Sequence, residues 1–287
     1  MNATTYPLSF PVDGPLSLSV RTRAGSIRVT AADVAEAVVD LQPAKAGDTD
    51  ALEVIERAQV EHHSGALRVE VSRGSIGPSL LRDPAIKAII TVPLTSSVEV
   101  RTGSADVHLG GGLGSVNVKT GSGTIVAEQC DDVALKTGSG NIHASEVKGV
   151  EAHSGSGDLV VEHATGALDL DTASGNSRID HIHGRGVVRT ASGDIEIGTV
   201  EAVVRVKTAS GDVRIRRMVE GEIDAKTASG DITIGIATGT AAKLDCSSAS
   251  GRVRSDLDPT DAPSDTDLVA AIAARSASGS ITLTRAH

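Results

Sequence analysis

The stretch that decides the fold runs from Val188 to Ile234 and repeats one motif three times: VRTASGDIEI at 188–197, VRVKTASGDVRI at 204–215 and IDAKTASGDITI at 223–234. Each copy is a run of alternating apolar residues, a Thr-Ala-Ser-Gly corner and a second alternating run. Alternation with a period of two is typical of half-buried strands. Self-similarity at a fixed period is typical of a solenoid. The sequence therefore predicts a stack of similar β-coils.

The corner motif aligns ten copies along the chain, each marked by a threonine or a serine. These ten residues are Thr102, Thr120, Thr137, Ser154, Thr172, Thr190, Thr208, Thr227, Ser248 and Ser276. Neighbouring corners are 17 to 21 residues apart, except for the last interval of 28. A coil of this length cannot bury its own apolar face, so we expect successive coils to stack in chain order with their strands parallel. Because parallel crossovers are almost always right-handed, the expected fold class is all-β, a right-handed single-stranded parallel β-helix with about 18 residues per coil.

The corners are expected to fix the register between coils, and the Thr/Ser hydroxyls to bond to one another along the stack. Glycine is expected there because it adopts backbone conformations that other residues resist. The structural corner residues in the three best copies are Thr190, Ser192, Gly193, Thr208, Ser210, Gly211, Thr227, Ser229 and Gly230.

The chain divides by regularity into two parts. Residues 1–95 are expected to form an N-terminal cap with degenerate coils and a short helix at Asp50–Arg57, because terminal solenoid repeats are usually atypical. Residues 96–287 are expected to form the regular β-solenoid, interrupted by an acidic loop at 256–267 with the sequence DLDPTDAPSDTD.

Composition excludes several classes of function. The formal net charge is −10, and the chain has one Phe, one Tyr and no Trp. A nucleic-acid interface normally needs a basic surface and, for single strands, aromatic side chains for stacking, so no nucleic-acid partner is expected. No apolar run approaches the roughly 20 residues that span a bilayer, so no membrane insertion is expected. Residues 1–14 lack the pattern of a signal peptide, and the expected location is the cytoplasm.

The TGSG and TASG corners, followed by Asp or Asn and an Ile-x-Ile pair, resemble those of the bacterial "putative adhesin" β-strand-repeat family of unknown function. The resemblance covers roughly residues 15–285, including the closing RSASGSITL segment. It implies a β-helical or toast-rack-like stack of strands. It brings no known catalytic residues to this chain.

One candidate ion site is the acidic column that follows the corner glycines. It consists of Asn141, Asp158, Asn176, Asp194, Asp212 and Asp231. Stacked aspartates are found in calcium-binding β-rolls, but calcium needs six or more oxygen ligands and the spacing here differs. Asx-turn chemistry at a solvated corner explains the column better.

A second candidate is a metal site at Glu146, His163 and His181, which occupy one outward column in consecutive coils, with His143 and His183 nearby. Neighbours in a column would lie about 5 Å apart, close enough to share a zinc ion. The alternative is a solvated polar face, and no metal or other cofactor is expected.

A polysaccharide-active β-helix would need converging carboxylates in a groove, and Glu128, Glu162 and Asp180 fall along one outward strip. Such grooves also use aromatic platforms and long walls, which this sequence does not supply. The protein is therefore not expected to be an enzyme. Cys130 and Cys246 both fall in inward columns and are expected to be buried apolar residues rather than a disulfide.

The ends of the stack are the last candidate site for interaction. A β-helix ends in an unpaired strand edge that can template another strand. The last strand contains Ile281 and Leu283, which are predicted to form an association edge. The function expected is a non-catalytic scaffold that acts through protein–protein contact, with a protein partner or a second copy of itself. Two alternatives remain open, an exported surface adhesin and a polysaccharide-active enzyme.

Overall fold

A computed structural model describes residues 6–72, 83–257 and 268–286. The chain divides into two compact units, Met1–Ser145 (unit 1) and Glu146–His287 (unit 2). The division at 95/96 expected from the sequence concerns the regularity of the repeat and stays a prediction. Of the acidic loop expected at 256–267, residues 258–267 lie outside the described part of the chain.

Unit 1 combines eleven strands with a short helix in its described residues. The helix is α1 (Thr49–Glu56), and the strands are β1 (Leu8–Pro11), β2 (Ser17–Thr22), β3 (Ala24–Ala32), β4 (Glu36–Pro43), β5 (Gln59–His63), β6 (Ala66–Glu70), β7 (Ala85–Pro93), β8 (Ser97–Thr102), β9 (Asp106–Gly110), β10 (Val116–Thr120) and β11 (Ile125–Thr137).

Strand β12 (Ile142–Ser154) contains the boundary between the units, and its residues from Glu146 onward belong to unit 2. The other strands of unit 2 are β13 (Leu159–Ala164), β14 (Leu168–Thr172), β15 (Ser177–Ile182), β16 (Gly186–Ser192), β17 (Ile195–Ser210), β18 (Val213–Ser229), β19 (Ile232–Ala237), β20 (Thr240–Ser248), β21 (Val253–Ser255), β22 (Leu268–Ser278) and β23 (Ile281–Ala286).

Apolar residues alternate with exposed ones along these strands, which is why they form sheets with one buried face. The predicted inward columns are confirmed where the motif is most regular, because Val206 and Ile215 are both buried. Val, Ile, Leu and Ala make up nearly all of the apolar core, as expected from a sequence with almost no aromatic residues.

The strands of unit 2 form two parallel ladders. The first ladder runs through β12, β14, β16, β17, β18, β22 and β20. The second runs through β13, β15, β17, β18, β19, β23 and β21. Equivalent corner residues pair in register, as in Thr190 opposite Thr208 and Thr208 opposite Thr227.

The order of the strands corrects the expectation that coils stack in chain order. Strand β22 lies between β18 and β20, and β23 lies between β19 and β21. The two C-terminal strands, β22 and β23, are therefore inserted between strands that precede them in the sequence. At the end of the two ladders that contains β22 and β23, the outermost described strands are β20 and β21.

The strand order of unit 1 also departs from chain order, at the first strands of the chain. Strand β2 lies between β6 and β8, and β3 lies between β7 and β9. Beyond them the pairing becomes antiparallel, with β5 against β6 and β4 against β7. Strand β1 then pairs antiparallel with β4. The first repeat of the chain is thus inside the stack of unit 1, and antiparallel strands cover its outer side.

The short helix is confirmed, with Asp48 as its N-cap: the carboxylate accepts a hydrogen bond of 3.0 Å from the Ala51 amide. An N-cap carboxylate satisfies one of the free N–H groups of the first turn. Ala51 and Ile55 are the buried residues of α1. Across the described ranges, no helix has the length and apolar character needed to cross a bilayer.

Candidate interaction surface

The corner hydroxyls hold neighbouring coils together, but through the backbone rather than through one another. Thr190, Thr208 and Thr227 are buried, and each hydroxyl donates to the carbonyl oxygen of the corner glycine in the preceding coil. The oxygen–oxygen distances are 3.3, 3.4 and 3.2 Å. The hydroxyl ladder expected from the sequence is therefore corrected to a ladder of hydroxyl–carbonyl bonds, which satisfies buried carbonyl groups.

The corner glycines are required by close approach between coils. A Cβ placed on Gly193 would overlap the carbonyl oxygen of Gly175, and one on Gly211 would overlap the carbonyl oxygen of Gly193. Gly230 stands in the same relation to Gly211. Ser192 is exposed beside its glycine. The sequence predicted glycine here for its backbone conformation, and the structure adds a second reason: at Gly193 the space for a side chain is already filled by the backbone of Gly175.

The acidic column forms a second ladder along the stack of unit 2. One side-chain oxygen of Asp194 accepts a hydrogen bond of 2.8 Å from the backbone N–H of Asp212, its equivalent in the next coil, and Asp212 accepts one of 2.8 Å from Asp231 in the same way. Asn176 does the same for Asp194 at 2.9 Å. Because an amide replaces a carboxylate at Asn176, this role depends on an acceptor oxygen rather than on charge.

The structure brings together part of the predicted histidine cluster. His163 lies opposite His181, and their rings stack with centroids 4.8 Å apart and planes 12° from parallel. His183 lies beside His181, with ring centroids 6.4 Å apart, and its Nδ1 is 3.0 Å from Oε2 of Glu201. Glu146 has a polar interaction of its own. Within residues 6–72, 83–257 and 268–286, no group of three His, Cys, Asp or Glu side chains is arranged to hold a metal ion.

Two of the three carboxylates considered for a polysaccharide-active groove, Glu128 and Asp180, have ordinary surface partners. Glu128 accepts from His108 at 2.8 Å in unit 1, and Asp180 accepts from Arg178 at 3.2 Å in unit 2. All four of these side chains are at least one-third exposed, where ion pairs contribute little to stability.

The two cysteines differ, which corrects the expectation that both are buried. Cys130 is buried, whereas Cys246 is half-buried, and both thiols are free. Burial, followed by the charges of Asp131 and Glu128, raises the pKa of Cys130 to about 12. Cys246 belongs to an inward column, but its strand β20 is outermost in unit 2, so nothing further in the described ladder covers it.

The free edge also corrects the predicted association residues. Ile281 and Leu283 are buried, and their strand β23 has neighbours on both sides. Among the described strands, β20 pairs only with β22, and β21 pairs only with β23. The free edge of unit 2 is therefore formed by Thr240–Ser248 and Val253–Ser255; we call these two strands the terminal edge.

Apolar side chains are left exposed at this edge. Leu244 stands in register with Ile272, yet it is 38% exposed and Ile272 only 2%. Val253 is 47% exposed, whereas Ile281, its partner in β23, is 0% exposed. Leu268 and Val269, at the start of β22, are exposed as well. A cluster of exposed apolar side chains is typical of an interaction surface.

Two ladders of parallel strands with register-holding corners define the chain as a β-solenoid-like repeat protein. The model of one family, Toastrack DUF4097, matches residues 72–285. The chain belongs to this family, as the resemblance in its corner motifs predicted.

Several solved structures are similar to the chain at low sequence identity. One described as a "putative adhesin", from Parabacteroides merdae, has 10% identity and a TM-score of 0.47, covering 97% of this chain and 95% of that one. One described as a "putative lipid binding protein", from Parabacteroides distasonis, has 14% identity and a TM-score of 0.42, covering 99% and 98%. These descriptions belong to those proteins. No curated protein matches the chain.

Proposed function

We propose that this protein is a non-catalytic scaffold that works through protein–protein contact, and that its contact surface is the terminal edge. The observation that carries the proposal is the pairing of β20 and β21 on one side only, within the described residues. An unpaired strand edge binds an extended segment of another chain through backbone hydrogen bonds, and neighbouring pockets select its side chains. Exposed Leu244 and Val253 supply the apolar part of such a contact.

The proposed winding is a right-handed parallel β-helix with about 18 residues per coil. It is supported by the parallel register of corner residues such as Thr208 opposite Thr227, and by the strong right-handed preference of parallel crossovers. An experimental electron-density map would decide the hand of the winding, and a left-handed path would contradict it.

The proposed compartment is the cytoplasm. Two free thiols, one of them accessible at Cys246, suit a reducing compartment better than an oxidising one. Fractionation of host cells tests this: recovery of the protein from the cell surface would support the exported-adhesin alternative instead.

The test of the contact surface uses the immobilised full chain and extract of the host cell, with tagged copies of the chain added. Leu244→Lys places a charge on the inward side of the edge, a device that natural edge strands use against pairing. Leu52→Lys is the matched control, because Leu52 is also exposed but lies on α1 in unit 1.

We expect the wild type and Leu52→Lys to retain the same bound protein, and Leu244→Lys to lose most of it. Equal retention by all three proteins, or no retained protein, would contradict the proposed surface. Turnover of a polysaccharide by the purified chain would contradict the non-catalytic part of the proposal.

A further inference from the structure

We propose that two copies of this chain join by antiparallel pairing of their β20 strands, around a two-fold axis through Leu244. The inference rests on the proposed function, since it uses the terminal edge as the contact surface, and it adds the partner and the register. Three independent features of β20 support it: its backbone, its inward side chains and its outward charges.

The backbone of β20 offers donors and acceptors at alternate residues. In a parallel ladder, successive residues direct their N–H and C=O groups to opposite neighbours. Just beyond β20, the Ala249 amide donates to the Ser276 carbonyl at 3.1 Å. By the same alternation the backbone groups of Lys243 and Asp245 face β22, and those of Leu244 face the side on which no described strand pairs with β20.

Ala242 and Cys246 share this orientation with Leu244. In an antiparallel pair centred on Leu244, Leu244 faces its own copy and Ala242 faces Cys246 of the second copy. These are the hydrogen-bonded pairs of such a register, and together they form about six backbone bonds.

The inward side chains of β20 continue the interior columns of unit 2. Ala242, Leu244 and Cys246 lie in register with Ala270, Ile272 and Ala274, which are all buried. The second copy of β20 presents the same three small or apolar side chains. Leu244 and Cys246 then have an apolar neighbour on each side, as inward residues within the ladder do. Their apolar surface is thereby removed from water.

In this register alone, the outward charges of one copy of β20 face opposite charges of the second copy. Lys243 and Asp245 flank Leu244 and are both exposed. Pairing centred on Leu244 places Lys243 opposite Asp245 of the second copy, and the two-fold axis makes this pair occur twice. Opposite charges at directly facing positions stabilise antiparallel strands, and like charges destabilise them.

Neighbouring registers lose this complementarity. Moving the centre to residue 243 sets Lys243 against Lys243 of the second copy, and moving it to residue 245 sets Asp245 against Asp245. Arg275 already bonds to Oδ2 of Asp245 at 3.1 Å, but Asp245 remains 72% exposed and has a second carboxylate oxygen for the lysine. The charges therefore select the register centred on Leu244.

The pairing closes at two copies because each copy uses the same surface. Within unit 1, β1 pairs only with β4 among the described strands and is poorly suited to pairing with another chain. Strand β1 ends at Pro11 and follows Pro7, and proline has no N–H to donate. In the two-fold pair both β20 edges are used, so growth into filaments through this edge is not expected.

The decisive experiment measures the mass of the full chain by sedimentation equilibrium over a range of concentrations, for the wild type and charge variants. We expect a monomer–dimer equilibrium. Lys243→Glu and Asp245→Lys each turn both ion pairs into like-charge pairs, and each should weaken dimerisation about tenfold or more. The double variant Lys243→Glu/Asp245→Lys reverses both partners and should restore dimerisation to near the wild-type level.

The control is Lys207→Glu, which changes the net charge as Lys243→Glu does but lies on β17, away from the terminal edge. It should dimerise as the wild type does. Thermal melting of each variant confirms that it is folded. Labelling of Cys246 gives a second readout: in the wild type, its rate should fall as protein concentration rises, because dimerisation covers it.

A strictly monomeric wild type overturns the inference, as do larger assemblies that grow with concentration. A dimer that survives both single variants, or that the double variant does not restore, also overturns it. The proposed function fails separately. If the wild type is monomeric but binds a host protein that Leu244→Lys no longer binds, the proposed function stands and only self-pairing is overturned. If the wild type is monomeric and retains no host protein, both proposals are overturned.

Discussion

At the residue scale, each corner position is set by what the neighbouring coil places against it. Thr208 donates to the Gly193 carbonyl, and Gly193 has room for no side chain because Gly175 lies against it. Asp212 accepts from the amide of Asp231. Threonine, glycine and aspartate are therefore repeated because the same three contacts are repeated.

Gly193→Ala is expected to destabilise the protein by about 1–3 kcal/mol, because the new Cβ overlaps the Gly175 carbonyl and the coils must move apart. Ser192→Ala, at the exposed neighbouring position, should change the free energy of unfolding by less than about 0.5 kcal/mol. Denaturant titration of both variants measures the difference. Equal stability would show that the coils are not in the close contact described.

Asp212→Ala should cost about 1 kcal/mol, because the Asp231 amide loses its acceptor. Asp212→Asn should be nearly neutral, since Asn176 already makes the equivalent bond to Asp194. Thermal unfolding of the two variants side by side checks this. If the asparagine variant is as unstable as the alanine variant, charge rather than an acceptor oxygen is what the column supplies.

The thiols should react at different rates in the native protein. Cys130 is buried with its pKa raised to about 12, so at pH 8 it is almost entirely protonated as well as covered. Cys246 lies at the terminal edge, and we expect it to label faster than Cys130 in dilute protein. Single variants Cys130→Ser and Cys246→Ser assign the two rates. Faster labelling at Cys130 would contradict the assignment of β20 as the outermost strand.

At the scale of elements, the strand order at the ends departs from the order of the chain. Strand β22 enters between β18 and β20, and β2 enters between β6 and β8. In both places the inserted strand is packed between two other strands, so its apolar side chains have neighbours on both sides. At the C-terminal end this leaves an earlier, less regular repeat, β20 and β21, at the edge.

Cross-linking tests this order directly. Glu222 and Ala271 are partners in adjacent strands, and Lys243 lies opposite Ala271 on its other side. In a background without the native cysteines, Glu222→Cys/Ala271→Cys should form a disulfide, because adjacent strands are about 4.8 Å apart. Glu222→Cys/Lys243→Cys should not, because two spacings exceed the reach of a disulfide. Chain-order stacking would reverse these results.

At the scale of the whole molecule, charge limits which partners can bind. The formal net charge is −10. The terminal edge combines Lys243 and Asp245 with apolar side chains on β20, and its one arginine, Arg254 on β21, is paired with Asp256, so it is not a basic patch. This composition suits a protein surface and opposes polyanions.

The full chain should therefore bind neither duplex DNA nor anionic lipid vesicles at about 0.15 M salt, where a Debye length of about 8 Å still leaves close repulsion unscreened. Gel-shift and vesicle co-sedimentation measure this, with a basic DNA-binding domain as the positive control for DNA. Retention of the chain on either polyanion would contradict the prediction.

The sequence by itself determined the repeat, the buried columns and the corner residues, because these depend on contacts that recur in every coil. Alternation fixed which face of Val206 and Ile215 is buried, and the motif placed Thr190 and Gly193 at a corner. The strand order could not be read from the sequence, since similar repeats have similar apolar faces and many stacking orders satisfy the same pattern. Only the tertiary structure decided that Ile281 and Leu283 lie inside the sheet and that Leu244 lies at its edge. The physical reason is that exposure at the end of a ladder depends on which neighbour is missing, not on the residues of the strand itself.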